Sequence, residues 1–248
     1  VLLDSVRGAT KGRGKFRTTQ NWIGRPGSTI EEAVFVPPSP LDLADHLREW
    51  ERYYHREERD PLVQLALIHA QFEILHPFAD GNGRIGRILI PIFLYEKKVI
   101  ARPCFYLSEY LEAHREEYIM RLRELGQPGS WNRWVEFFLR AITAQAQANS
   151  RKARAIQDLY ESLKSRALSA TRSQYAVPML DFLFTRPILR STDLIGRPEM
   201  PSTPMVHRML AQLRTAGVLK LLREKSGPKP QVLALAQLIN LCEGREVI

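Results

Sequence analysis

"HPFADGNGRIGR" (residues 76–87) holds one histidine, one carboxylate, three glycines, one amide and two arginines within twelve residues. Apolar segments flank it, "PLVQLALIHAQFEIL" (61–75) before and "ILIPIFLYE" (88–96) after. Asp60 is placed to cap the first of these, with Pro61 at the first helical position. That helix is apolar almost all round, which marks it as central. The second carries Ile85, Ile88, Leu89, Ile92 and Phe93 and also reads as buried. A polar loop between two buried helices is held rigidly at the floor of any cleft between them.

The residue types in the loop suit an anion. Gly81, Asn82 and Gly83 lead into a helix start, where backbone N–H groups can turn toward one point and the dipole is positive. Arg84 and Arg87 lie three apart, so both fall on one face of the first turn. Their guanidinium forks match phosphate oxygens. Two arginines there oppose the helix dipole, and a bound anion would compensate them. Asp80 is the single carboxylate, a donor that Mg²⁺ accepts alongside phosphate and water. His76, with an ordinary pKa near 6.5, suits proton removal from a hydroxyl. The set implies transfer of a phosphate-containing group from a nucleotide to a hydroxyl. It is not a Walker loop, because Gly-Lys-Ser/Thr is absent. His76 and Asp80 as hydrolase metal ligands would need further His or Asp nearby, and His69 is the near candidate.

Bulk properties bound the rest. The chain has 248 residues, 44% hydrophobic and 25% charged, enough for a large domain or a main domain with a smaller one. The longest strongly apolar piece, Ile88 to Tyr95, is far short of the roughly 20 residues of a membrane span. The opening "VLLDSVRGATKGRGKF" has no apolar signal core with a cleavage site. Cys104 and Cys242 make neither a disulfide framework nor a metal set, so a cytoplasmic location is expected. The net charge of +9 is uneven. Residues 151–248 hold 16 Lys+Arg against 8 Asp+Glu, leaving 20 against 19 in the first 150. That excess suits an acidic partner, although solvated surface charge explains it equally well.

Along the chain, residues 1–20 read as irregular. "NWIG" (21–24) and "AVFVPP" (33–38) read as a hairpin around "RPGSTIEE". Helices are expected at Leu41 to His55, from Pro61, after Gly83, over Leu111 to Leu125 with Ser108 as cap, and from Ser130 to about Ala167. "LSATRSQY" (168–175) reads as a linker. Three short helices follow in "AVPMLDFLF", "STDLIGR" and "STPMVHRMLAQLRTAGVL", capped in the last by Ser202 or Thr203 and stopped by Gly217. Two short strands in "LKLLREKSGPKPQVLAL" then enclose a basic turn. Short helices with a basic hairpin make a winged-helix pattern.

As an ordered set, "HPFADGNGRIGR" resembles the Fic family motif, His-x-Phe-x-Asp/Glu-Gly-Asn-Gly-Arg-x-x-Arg, at every defined position. The resemblance extends through "KFRTTQNWIG", "FVPPSP", "DPLVQLALIHAQFEILHPF" and "YLSEYLEAHREEYIMRL", about residues 1–150. It implies a mainly α domain with a small β-hairpin flap, followed here by a winged-helix domain. The division is 1–150, a helical linker over 151–172, and 173–248. It also implies AMP transfer from Mg-ATP to a Tyr, Thr or Ser hydroxyl of a target protein, with pyrophosphate released. By that resemblance His76 is the general base and Asp80 holds Mg²⁺. Gly81, Asn82 and Gly83 line the anion hole, Arg84 and Arg87 hold the β- and γ-phosphates, and Phe78 anchors the loop in the core. The flap, with Trp22, Ile23, Gly24, Ile30, Val34 and Phe35, would align the target by strand addition. His114, in "EAHR", stands near the adenine pocket where relatives often have Asn.

Relatives also commonly carry an inhibitory Ser/Thr-x-x-x-Glu helix whose Glu meets the second motif arginine. "STIEE" (28–32) reads as a flap tip instead; if such a helix lies upstream of Val1 in a longer protein, this chain is expected to be active without that block. Exposed His207, Arg208 and Arg214, with Arg223, Lys225 and Lys229 of the wing, would contact DNA; packing or homodimer formation is the other use of such a module. Two further readings keep the fold: a DNA-binding regulator whose first domain senses nucleotide, and removal of AMP or transfer of another phosphate-linked group. An intact His76 favours the enzyme, because a sensor needs no base.

Overall fold

The computed structural model describes residues 14–25 and 27–248. Most of the stretch read as irregular, residues 1–13, lies outside the described residues, as does Pro26 in the flap. The chain is mainly helical and divides into two compact units, one up to Gln147 and one from Ala148 to Ile248.

In the first unit, α1 (Leu43–His55), α2 (Pro61–Leu75) and α3 (Asn82–Glu96) form the frame of the motif, with α4 (Ser108–Ala113) and α5 (Arg115–Arg123) beside them. Helix α6 (Ser130–Thr171) contributes its early turns to this unit. Asp60 caps α2 as its position demands: its carboxylate accepts from the N–H of Leu62 at 2.9 Å and of Val63 at 3.2 Å. Because α2 is buried on nearly every side, its two fully buried polar residues, Gln64 and His69, need partners inside. Gln64 donates to the carbonyls of Tyr53 at 2.7 Å and Arg56 at 2.9 Å, which satisfies the exposed carbonyl end of α1. His69 bonds through Nε2 to the Tyr118 hydroxyl at 3.0 Å. Trp134, fully buried on α6, donates its indole N–H to the Ala66 carbonyl at 2.8 Å. With Phe93, Phe137 and Phe138 it fills the core that holds α2 and α3 in place.

Several local expectations change. The helix expected over 111–125 is broken at His114 (φ −116°, ψ 34°), whose N–H and Nδ1 both converge on the Tyr110 carbonyl. Ser108 is the first helical residue and does not cap; the start is set by Leu107, which is fully buried. The hairpin of residues 21–38 contracts to one bridge, Ile23 opposite Phe35, with Pro37 and Pro38 unable to donate further rungs.

The second unit contains the later turns of α6, then α7 (Ala176–Thr185), β1 (Ile188–Arg190), α8 (Thr203–Thr215), β2 (Lys220–Arg223), β3 (Val232–Ala234) and α9 (Ala236–Glu243). Leu163 and Ala167 of α6 are buried in its core beside Leu180, Met209, Leu213 and Leu233. The sheet is antiparallel in the order β1-β3-β2. "STDLIGR" is not an α-helix: Ser191–Leu194 makes one 3₁₀ turn, tightened by Asp193, which accepts from the Arg190 N–H at 2.9 Å. Strand β1 precedes it and α9 closes the chain, both invisible in the sequence pattern. No helix among the described residues is long and apolar enough to cross a membrane.

Candidate active site

His76 ends α2 in a left-handed conformation (φ 46°, ψ 57°), rare for a residue with a side chain. Such strain costs on the order of 1–3 kcal/mol and persists where the surroundings fix it. The imidazole Nδ1 lies 3.3 Å from the Glu73 carbonyl. A carbonyl only accepts, so Nδ1 carries the proton and Nε2 keeps a free lone pair. Burial holds the His76 pKa below its ordinary value; the Glu73 carbonyl opposes this, the Arg17 charge adds to it, and Asp80 opposes it. The ring is therefore a neutral base at physiological pH.

Two residues on, at Phe78, the loop is fastened by side-chain amides. Asn82 accepts the Phe78 N–H at 2.8 Å and donates to the Phe78 carbonyl at 2.7 Å, while Asn21 donates to the same carbonyl at 3.2 Å. The Asn82 side chain is thus spent on the loop, and what it offers an anion is its backbone N–H. Phe78 is half-buried and packs against exposed Phe16 at 5.4 Å between ring centres, outside the core. Its backbone, gripped by two amides, anchors the loop.

Gly81 adopts φ 91° and turns the chain into α3, a conformation that alanine would resist. The Arg84 and Ile85 N–H groups bond to the Gly81 carbonyl. Among the described residues, the N–H groups of Gly81, Asn82 and Gly83 have no partner, the expected donors of a helix start. Asp80 and Arg84 face each other across one turn at 3.8 Å, both part-exposed. Arg87 stands one turn further along, its Nη1 3.2 Å from where a Cβ on Gly83 would lie. The structure thus brings His76, Asp80, the three N–H groups and both arginines to one loop and one helical turn. Among the described residues there is no ready-made group of three or more metal-binding side chains. His69 is wholly buried against Trp134 and Phe138 and takes no part.

Residues 2–94, which include this loop, match the model of the Fic/DOC family. The chain carries a Fic/DOC family domain. Over 93 residues it is 36% identical to a probable protein adenylyltransferase of Aquifex aeolicus, covering 37% of this chain and 27% of that protein. Over 84 residues it is 36% identical to the protein adenylyltransferase Fic of Drosophila grimshawi and 32% to that of Caenorhabditis elegans, in each case 33% of this chain. Those stretches cover 16% and 15% of the two relatives, so the chain matches only a small part of each. A solved Fic family protein from Desulfovibrio desulfuricans superposes with a TM-score of 0.52 at 18% identity, over 92% of this chain and 64% of that one. This last likeness concerns the fold.

Within the Fic/DOC domain, Arg17 is a residue the sequence reading did not single out. It is buried, and its Nε donates to the His76 carbonyl at 3.0 Å and its backbone N–H to the Pro77 carbonyl at 2.9 Å. Its Nη2 reaches the Leu75 carbonyl at 3.4 Å and the Pro38 carbonyl. One cation thus satisfies the carbonyl end of α2 and ties it to the base of the flap. Nothing in "KFRTTQ" distinguishes it from a surface arginine. Replacing it by methionine strands these carbonyls, at a cost of about 3 kcal/mol, and should lower the melting temperature by roughly 6–12 °C. A thermal melt within the error of the parent would show that the staple contributes nothing.

The flap side chains divide by exposure. Trp22, Ile23 and Val34 are exposed, while Ile30 and Phe35 are half-buried. Trp22 donates to the Ser28 carbonyl at 3.0 Å, and a Cβ on Gly24 would overlap the Ser28 hydroxyl. Glu32 accepts the Thr29 N–H at 3.0 Å, so the carboxylate of "STIEE" closes its own turn. His114 is exposed and stacks on Tyr110 at 3.9 Å, with no contact to the motif loop. His207, Arg208, Arg214, Arg223, Lys225 and Lys229 of the second unit are all exposed.

Proposed function

We propose that this chain transfers AMP from Mg-ATP to a Tyr, Thr or Ser hydroxyl of a target protein, releasing pyrophosphate. The observation that carries this reading is His76, a neutral base with a free Nε2, beside unfilled N–H donors and two arginines at one helix start. Relatives 31–36% identical over this region are named protein adenylyltransferases, which supports it.

In the proposed reaction the hydroxyl oxygen attacks the α-phosphorus of ATP. A new oxygen–phosphorus bond forms, the bond to the bridging oxygen of pyrophosphate breaks, and the hydroxyl proton passes to His76 Nε2. The N–H groups of Gly81, Asn82 and Gly83 receive charge on the phosphates. Arg84 and Arg87 hold the β- and γ-phosphates and so the leaving group. Asp80 is part-exposed and single, the donor set that suits Mg²⁺ arriving with its phosphates, and Asp80 would hold that ion. When bound, Mg²⁺ neutralises phosphate charge. The exposed flap residues Trp22, Ile23 and Val34 offer an extended segment to pair with, and the one-rung hairpin leaves backbone groups for a target. His114, exposed and stacked on Tyr110, would meet the base of the nucleotide.

The test is mass spectrometry of the protein, alone and with candidate substrates, after incubation with Mg-ATP. An AMP adduct that His76→Ala abolishes is the expected result. ATP binding with no adduct on any protein in an extract of the source cell would favour a nucleotide sensor instead.

For the second unit we infer a winged-helix module that binds DNA. Its order of helix, strand, turn, helix, strand, strand supports this, as do exposed His207, Arg208 and Arg214 on α8 and Arg223, Lys225 and Lys229 about the β2–β3 turn. DNA binding should weaken steeply with salt, and neutralising Arg208 and Lys225 together should reduce that slope by about 2. Absence of binding to mixed duplex DNA at low salt would assign the module to packing or dimer formation.

A further inference from the structure

The motif's neighbourhood contains one carboxylate that the proposed reaction does not use. Glu73 lies on α2, one turn before His76. As a residue it is part-exposed, but its Oε1 is shut off from water and has no hydrogen-bond partner. A lone buried carboxylate oxygen costs free energy that a stability-driven sequence would avoid. What surrounds it is specific. Glu73 Oε1 sits in the gap left by Gly86, where any Cβ would overlap it. A Cβ on Gly83 would lie 4.0 Å from the same oxygen and 3.2 Å from Arg87 Nη1. The carboxylate and the second motif arginine therefore flank one glycine seam at the start of α3.

The other groups facing this spot are Tyr118 of α5 and His69 of α2. Tyr118 feels both Glu73 and Arg87, and burial, with Glu73, holds its hydroxyl in the neutral form. His69 is neutral as well, its pKa pushed down to about 4 by burial. Glu73 is thus the group here able to attract the Arg87 guanidinium, and it does so without a direct contact that would have to be broken when phosphate arrives.

We propose that Glu73 is a positioning residue for Arg87, holding the guanidinium over the first turn of α3, with Gly86 as the gap that admits the carboxylate. This rests on the reading of Arg87 as the γ-phosphate ligand. The consequence is a preference for ATP over ADP that depends on a negative charge at Glu73. Burial pushes the Glu73 pKa up to about 7, against the opposing pull of Arg87. The carboxyl therefore ionises as pH rises through neutrality, and the preference grows in that direction. The same raised pKa means that ionisation destabilises the fold as pH rises, so Glu73→Gln is expected to melt no lower than the parent at pH 8.

The experiment is calorimetric titration of Mg-ATP and Mg-ADP into the full chain, its Glu73→Gln variant and its Gly86→Ala variant, at pH 6 and pH 8. Gly86→Ala favours the helix yet displaces the carboxylate. Expected is a preference for ATP that both variants reduce by about tenfold at pH 8, with ADP affinity and melting temperature kept. The parent should lose part of its preference at pH 6, and Glu73→Gln should show less change, since only the nucleotide's own ionisation remains. An undiminished preference in Glu73→Gln overturns the proposal. Equal loss of ATP and ADP affinity with a lower melting temperature also overturns it, since that is what a packing role would give. A parent without any preference for ATP removes the γ-phosphate reading itself, a failure distinct from the other two.

Discussion

His76→Ala is expected to slow AMP transfer by about 10²–10⁴-fold, the usual effect of removing a general base. Binding of Mg-ATP should stay within about threefold of the parent, because the phosphates are held by α3 and its arginines and not by the imidazole. The geometry separates the two functions: His76 hangs from the end of α2, while the N–H donors and Arg87 belong to α3. The base also sets a pH dependence. Burial lowers the His76 pKa below its ordinary 6.5, so the neutral form dominates at and above that pH. Transfer should accordingly be level on the alkaline side and fall as pH drops below 6.5 through the depressed pKa. Single-turnover rates from pH 5 to 8, together with ATP titrations of the variant, check both points. Parent-like transfer by His76→Ala would remove His76 from the chemistry.

Arg87→Ala is expected to reduce kcat/KM for ATP by about 10²-fold or more, with both a weaker ATP affinity and a lower kcat. A guanidinium fork that holds the terminal phosphate places the α-phosphorus and also stabilises charge on departing pyrophosphate. Arg87 has no hydrogen bond or ion pair with another described side chain, so it is available for phosphate at little cost in broken contacts. ADP lacks the group Arg87 would grip and should be a poor donor for the parent. Arg84→Ala should cost less than Arg87→Ala, because Arg84 already shares its charge with Asp80. Steady-state kinetics with ATP and ADP decide this, and an Arg87→Ala variant with parental kcat/KM would rule out the clamp.

The loop that carries the chemistry and the helices that frame it are legible from local sequence. Short-range rules suffice for these: Asp60 with Pro61 starts a helix, Gly81 turns the chain into another, and the apolar residues of 61–75 bury the first. The second buries Ile90, Phe93 and Leu94, while Ile92, expected inside, is exposed because it lies on the outer side of α3. The order of groups from His76 to Arg87 follows because neighbouring residues in one turn are neighbours in space. Contacts between residues distant in the chain arise only from the fold. Arg17 reaches the carbonyls of Leu75, His76 and Pro77 across some sixty positions, and local pattern cannot show that. Asn82 looks like an anion ligand in sequence, but its amide is consumed by Phe78, since a buried amide bonds to whatever carbonyl and N–H the fold places beside it. Strand β1 is three residues long and acquires its identity from pairing with β3, more than forty residues on. The flap reads as a hairpin by composition, yet only Ile23 and Phe35 pair, because β-pairing depends on what the opposite strand can donate and prolines follow at once. Glu73 is one more acidic residue in a helix until the fold sets it against Gly86 and near Arg87, where burial changes what its charge can do.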